Sequence, residues 1–254
     1  MGFDAEWLTL REGADARARD PALLDRAVQI VAPHATVLDL GCGTGASVRA
    51  LAKGGAPHLD WRLLDNDPAL LEIAADYHPQ AATYHADLGD IDALPFDGVH
   101  LVTASALLDL VSRDWVARFA ERLWRARIAF YAVLSYDGRM RWHPADPDDG
   151  RVTDAFNRHQ QGDKGFGPAL GPDAADTAAG LFRKQGFDVT LGNSPWRLTP
   201  EDAALQDALL TGIAGAATEA GCETASDWLG RRRQDLTQTH AEIGHVDLLA
   251  RPPA

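Results

Sequence analysis

The chain has 254 residues, 24 Lys plus Arg against 37 Asp plus Glu, and a formal net charge of −13. That acidic balance speaks against a nucleic-acid or anionic-membrane partner, because phosphate binding needs a net basic face. Only two cysteines are present, Cys42 and Cys222, too few for a disulfide framework or a cysteine-based zinc site.

No apolar run reaches the ~20 residues of a membrane span, and MGFDAEWLTLREG lacks the basic-then-apolar order of a signal peptide. A cytoplasmic location is therefore expected. Asp20-Pro21 is a helix start, with proline at the first helical position, and Leu24, Ala27, Val28 and Val31 recur at helical spacing. Pro33 ends that helix, and residues 37–40 read as a buried strand. A glycine turn follows, then a helix with Val48, Leu51 and Ala52 that stops at Gly54-Gly55. WRLLDND is the second strand, and Asp67-Pro68 starts a helix through Leu71 and Ala74. ATYHADL is the third strand and residues 99–105 the fourth. Ser112 caps a helix with Val116, Phe119, Ala120 and Leu123 on one face, and RIAFYAVLSY is the fifth strand. Strands apolar on both faces, alternating with helices, predict a parallel sheet covered on both sides, a doubly wound α/β fold.

From Asp137 the chain turns polar and rich in Gly and Pro, with one short helix near 152–161. A helix over 172–185 and a strand GFDVTL restore the alternation. Thr199-Pro200-Glu201-Asp202 then resembles a capping box. Helical material runs to about Arg233, and HVDLLA, residues 245–250, closes the chain as a last strand. The amphipathic run 201–218 reads as a lid, a dimer surface or a plain packing helix, so the chain is expected as a monomer or homodimer.

In TVLDLGCGTGAS, Gly41, Gly43 and Gly45 stand beyond the first strand. In an open parallel sheet, ligands collect at that edge, and glycine lets one rest on main-chain atoms. Asp65 ends the second strand, where an acid can accept both hydroxyls of a ribose. Asp87 ends the third, where an adenine would lie. With Asp39, three consecutive strands each deliver an acid at one edge, which points to an adenosine-containing ligand. A relaxed G-x-G-x-x-G/A fingerprint is met by Gly41, Gly43 and Ala46, so NAD fits on glycines alone. Asp39 opposes that, since it would repel a pyrophosphate and attract an ammonium.

VLDLGCGTG resembles the first motif of the class I S-adenosylmethionine-dependent methyltransferases, LLDNDPALL the second, HADLGD the third, and LVTASALLDLVS the fourth-strand segment. The resemblance implies a Rossmann-like sheet of seven mostly parallel strands with the last antiparallel, and S-adenosylmethionine as cofactor. Asp39 would hold the methionine ammonium, and the backbone from Gly41 through Cys42 and Gly43 to Gly45 would lie under the amino-acid part. Asp65, with Asn66 beside it, would take the ribose, and Asp87 and Leu88 the adenine. The segment containing Ala104 would border the methyl group. Of Arg11, Arg17 and Arg19, Arg11 is the choice for the methionine carboxylate. On this reading residues 1–35 are a helical cap, 36–136 the cofactor-binding core, and 137–171 an insertion over the acceptor. Residues 172–254 complete the core, with a helical insertion between the last two strands.

Methyl transfer from a sulfonium is an in-line displacement, so the protein mainly aligns and dries the reactants. A base is useful only for a protonated oxygen or nitrogen acceptor; His143 and His159 are the candidates. No Asn/Asp-Pro-Pro-Tyr motif follows the fourth strand, and Asp109 alone is no metal site, so no metal is expected. Asp109, Tyr136, Arg139, Trp142, Arg158, Lys164 and Trp196 are the candidate contacts for a small-molecule acceptor, with Asn157, Phe166 and Arg197 nearby in sequence. The activity expected is transfer to O, N or C of a small polar acceptor. A nicotinamide-dependent oxidoreductase, a non-catalytic binder of the same cofactor and an aminopropyl transferase are the alternatives.

Overall fold

Four helices of this chain start where a short polar side chain accepts a freed N–H group. In the computed structural model, which describes residues 4–253, Asp4 accepts from Trp7 N and opens α1, Ala5–Ala18. Asp20 opens α2, Pro21–Ile30, and Asp67 opens α4, Pro68–Tyr77, each with proline in the first turn. Ser112 opens α5, Arg113–Ala126, while α3, Ala46–Lys53, leaves the glycine turn at Gly45 without a side-chain cap. Between them lie β1, Thr36–Leu40, β2, Asp60–Asp65, β3, Ala82–His85, and β4, Val99–Ser105. The expected helical cap is filled by α1 and α2; residues 1–3 of it, and Ala254 at the other end, lie outside the described residues.

The second half holds β5, Ala129–His143, α6, Asp149–Gln160, α7, Ala174–Gln185, and β6, Asp188–Asn193. It continues with β7, Trp196–Leu198, α8, Ala203–Glu219, α9, Ala225–Gln234, and β8, His240–Arg251. The sheet order is β3-β2-β1-β4-β5-β8-β6, with β7 beside β8. Strands β1 to β5 pair in parallel, and β8 runs antiparallel to β5, β6 and β7. The expected seven-stranded path is present, and the three-residue β7 is an eighth strand that the sequence reading did not contain.

Successive side chains of the strands feed opposite cores, as the strand period requires. Val37 of β1 faces a cluster with Leu63, Leu101 and Tyr131. Leu38 and Leu40 face a second cluster with Leu64, Val102 and Phe130, closed by Phe119 of α5 and Phe182 of α7.

Two boundaries differ from expectation. Residues 137–143, read as the start of the polar insertion, continue β5, and β8 begins five residues earlier than 245, at His240. Asp137-Gly138 is a bulge rather than a stop: Gly138 has φ +86°, and the register with β8 shifts between Tyr136 and Met140. Beyond it Arg139, Arg141 and His143 are exposed while Trp142 is buried. The charged outer face hid a half-buried antiparallel strand. Strands β5, β8 and β7 thus extend as a ribbon whose inner face packs under helices. Trp142 meets Trp228 of α9 edge-on at 5.4 Å, and Arg232 lies 5.2 Å over the Trp142 ring. No helix among the described residues is long and apolar enough to cross a membrane.

Candidate functional site

At the carboxyl end of β1 the chain turns through Gly41, Gly43 and Gly45, all at positive φ, into α3. The turn is pinned from the neighbouring strand. Asp65, buried at the end of β2, accepts from Gly43 N at 2.8 Å with Oδ2 and from Asp67 N at 3.0 Å with Oδ1. Cys42 N donates to Leu64 O at 3.0 Å. Gly43 suits glycine: at φ +52° a side chain is strained, and a Cβ would stand 2.9 Å from Leu8 Cδ1 of α1, which lies over the turn and would have to shift. The Cys42 thiol is buried, and burial plus the charges of Asp39 and Asp65 push its pKa far up, so it is no nucleophile.

Asp39 is buried opposite Thr103 of β4, whose hydroxyl donates to it at 2.6 Å. Burial pushes its pKa up to about 6, against the pull of the Thr103 and Ser47 hydroxyls and the charge of Arg19. Desolvation therefore wins, and a cation brought beside this carboxylate would relieve it. Ala104 is buried in the next position of β4. Asp87 is exposed after β3 and accepts from Gly89 N at 2.8 Å. Leu88 is buried; its Cδ1 is the nearest atom to where a Gly41 Cβ would stand, at 4.0 Å, and its carbonyl accepts from Trp115 Nε1 at 2.7 Å. Asn66 is exposed, its carbonyl 3.1 Å from His85 Nε2.

The residues fit an adenosine ligand with a cationic tail. A carboxylate has about four lone-pair sites. The two backbone N–H groups on Asp65 leave the others for a ribose.

Arg11 departs from expectation. It is buried and already forms a two-point pair with Asp15, at 2.9 and 3.2 Å, one helical turn further along α1. Its guanidinium lies 5.2 Å over the Trp196 ring, and Trp196 Nε1 donates to Asp15 Oδ1 at 2.9 Å. An i,i+4 carboxylate in a dry place satisfies Arg11 before any ligand does. Arg17 pairs with Asp202, and Arg19 is buried.

Four of the expected acceptor contacts come together beside α1. Asp109 has an Oδ1 with no hydrogen-bond partner among the described residues. Burial lifts its pKa to about 6, against the charges of Arg11 and Lys164. The Tyr136 hydroxyl donates to Asn157 at 2.8 Å, and burial and the charges of Asp137 and Asp109 push its pKa up. Trp196 and Tyr136 flank His245, with ring centroids at 5.1 and 6.2 Å. Sequence reasoning missed His245. The signal was a histidine at the head of an apolar strand, where burial must keep it neutral; its pKa falls to about 3, burial outweighing all else. Its Nδ1, and Trp7 Nε1 on α1, are also buried without partners among the described residues. Lys164 reaches only the edge of this group, 3.4 Å from His159 Nδ1, and His159 Nε2 contacts Glu219 at 2.9 Å.

The remaining candidates lie elsewhere. Trp142 is core under α9, His143 is exposed at the ribbon end opposite His240, Arg139 is exposed and paired with Asp137, and Arg158 is exposed on α6. Among the described residues no group of three or more His, Cys, Asp or Glu could hold a metal ion.

Residues 37–127 match the family profile of a methyltransferase domain. No curated protein sequence matches the chain. Among solved structures, similarity extends to a protein described as a methyltransferase from an antibiotic biosynthesis pathway of Anabaena variabilis. It is 16% identical with a TM-score of 0.51, covering 93% of this chain and 99% of that one. The cyclopropane synthase MmaA2 of Mycobacterium tuberculosis is 15% identical with a TM-score of 0.50, covering 91% and 83%. The mycolic acid cyclopropane synthase CmaA1, solved with S-adenosylhomocysteine, is 14% identical with a TM-score of 0.51, covering 91% and 83%. At such identities the likeness is one of fold.

Proposed function

We propose that the chain, whose residues 37–127 match a methyltransferase domain, is a class I methyltransferase that transfers the methyl group of S-adenosylmethionine to O, N or C of a small polar acceptor. The observation that carries this reading is the pairing of Asp65 with the Gly43 amide beside a buried Asp39 whose pKa is raised by desolvation. Asp65 takes the ribose hydroxyls with its remaining lone pairs, and Asp39 takes the ammonium of the methionine part. The backbone of the turn that begins at Gly41 lies along the chain between them, and Asp87 with Leu88 borders the base.

Bound S-adenosylmethionine supplies an already activated methyl group. What the protein adds is alignment and the exclusion of water. Trp196, Tyr136 and His245 wall the acceptor side, and α1 closes it. Asp109 Oδ1 accepts the N–H or O–H of the acceptor and takes its proton as the new bond forms. This role falls to Asp109 rather than to His143, which is exposed at the far end of the ribbon, or to His159, which is engaged by Glu219.

Calorimetric titration with S-adenosylhomocysteine tests the reading. The wild-type chain should bind and Asp65→Ala should bind ~10–100-fold more weakly. A wild-type chain that gives no heat beside a working control removes it.

A further inference from the structure

The third glycine of the turn is not bare for a ligand. A Cβ on Gly45, which has φ +82°, would stand 2.5 Å from His78 Cδ2 and 2.7 Å from His78 Nε2. The space is filled by the ring that follows α4, and that ring belongs to a cluster built on Arg49 of α3.

A guanidinium carries five N–H donors and no acceptor, and in Arg49 every donor is matched. Nε and Nη2 hold the two oxygens of Glu12 on α1, at 2.5 and 2.9 Å. Nη1 donates to Thr44 O at 2.7 Å and to His78 Nε2 at 3.1 Å, and Nη2 also reaches Thr44 Oγ1 at 3.3 Å. The side chain lies 5.6 Å from the Tyr77 ring centroid. Because Arg49 can only donate, His78 accepts with Nε2 and is neutral, its proton on Nδ1. One side chain therefore joins α1, the glycine turn, α3 and the end of α4.

Glu12 stands one helical turn after Leu8, whose Cδ1 occupies the space beside Gly43. The two contacts share a face of α1, so α1 rests on the turn through Leu8 and is tied to it through Glu12.

We propose that Arg49 is a positioning residue that latches α1 to the cofactor turn, so that the seating of the helix and the affinity for the cofactor rise and fall together. The inference rests on the methyltransferase reading for its ligand but not for its geometry. Two sites linked through one element share a coupling free energy, with typical effects of several-fold to about a hundredfold. The cluster sits outside the acceptor walls and touches the cofactor region only through Thr44 and Gly45.

The test compares Arg49→Ala, Arg49→Lys and Glu12→Ala with the wild type. It uses calorimetry with S-adenosylhomocysteine and hydrogen exchange of residues 5–18 in the free protein. Arg49→Ala should weaken binding about tenfold and strip protection from α1 while β1 to β4 keep theirs. Arg49→Lys restores the charge but not the fork, so it should recover less than half of that loss. Glu12→Ala leaves the Thr44 and His78 contacts in place and should lose the α1 protection all the same; it decides the matter if Arg49→Ala does not fold. Wild-type affinity together with wild-type α1 protection in Glu12→Ala overturns the latch. If the wild type binds no cofactor, the functional reading fails, whereas loss of α1 protection in the variants still upholds the latch.

Discussion

The sheet has two halves built on different rules. In β1 to β4 the strands are short and parallel, β1 and β4 buried almost throughout and β3 exposed at the edge, and what matters happens at their carboxyl ends. In the ribbon past the Asp137-Gly138 bulge, β5 and β8 pair antiparallel, with Trp142 buried under helices and Arg139, Arg141 and His143 exposed on the other face. The parallel half is specified by local chemistry: an apolar run, a turn that needs positive φ, a capped helix. The ribbon is specified by what packs on it. The halves meet where Tyr136 and His245 stand opposite one another just before the bulge, with Trp196 against the His245 ring.

The sharpest way to break the comparison is Trp228→Ala. Trp228 is fully buried, packs on Trp142 and donates to Asp149 Oδ1 at 2.8 Å. Truncation should cost about 3–5 kcal/mol, seen as a large fall in melting temperature. Hydrogen exchange should then show protection lost first in β7, α9 and the far ends of β5 and β8. Simultaneous loss across β1 to β4 would mean that the halves form one cooperative unit.

A smaller effect on stability, but a decisive one on binding, is expected at the other half. Asp65→Ala removes the acceptor of Gly43 N and Asp67 N. A hydrogen bond to a charged group contributes about 1.5–3 kcal/mol, so affinity for S-adenosylhomocysteine should fall ~10–100-fold. An unchanged affinity would place the ribose elsewhere.

Third in size is a pH effect. Asp39 and Asp109 each have a folded pKa near 6, raised by burial from 3.8. A raised acid contributes stability that is fully present below its unfolded value and is lost as pH rises through the folded one. From these two groups the free protein should gain stability between pH 7 and 4. Binding should respond with the opposite sign, because an ammonium prefers ionised Asp39. Affinity should fall about tenfold for each unit below pH 6. Asp39→Asn, which keeps an acceptor for Thr103, should flatten that slope in a calorimetric series over pH 5–8.

How much was legible follows the same division. The strand ends carrying Asp39 and Asp65, the caps at Asp20, Asp67 and Ser112, and the sheet order class all rest on near neighbours in the chain. Asp137-Gly138 was misread because a bulge and a stop use the same residues, and only the pairing with β8 tells them apart. Arg11 was chosen from the sequence as the cation for the methionine carboxylate, but its burial and its commitment to Asp15 were not legible, since periodicity gives spacing and not dielectric. Gly45 looked like its two neighbours, and only the His78 ring, 33 residues further along, explains it.

The smallest expected effect separates the two halves most cleanly as to function. His143 lies ten residues past Val133, the last residue of β5 paired with β4, or roughly 30 Å of extended chain. It is exposed and opposite His240, with no buried contact to lose. His143→Ala should therefore change stability by less than about 0.5 kcal/mol and leave affinity for S-adenosylhomocysteine unaltered. Asp109→Asn should also keep the cofactor but leave an acceptor that needs deprotonation without its base. Once an acceptor is in hand, the two variants form a direct contest. Loss of transfer in Asp109→Asn with full transfer in His143→Ala keeps the chemistry at the junction of the halves. The reverse pattern would move it onto the bare face of the ribbon, where Arg141, Arg197 and His240 surround His143 along a hollow of about 310 Å³.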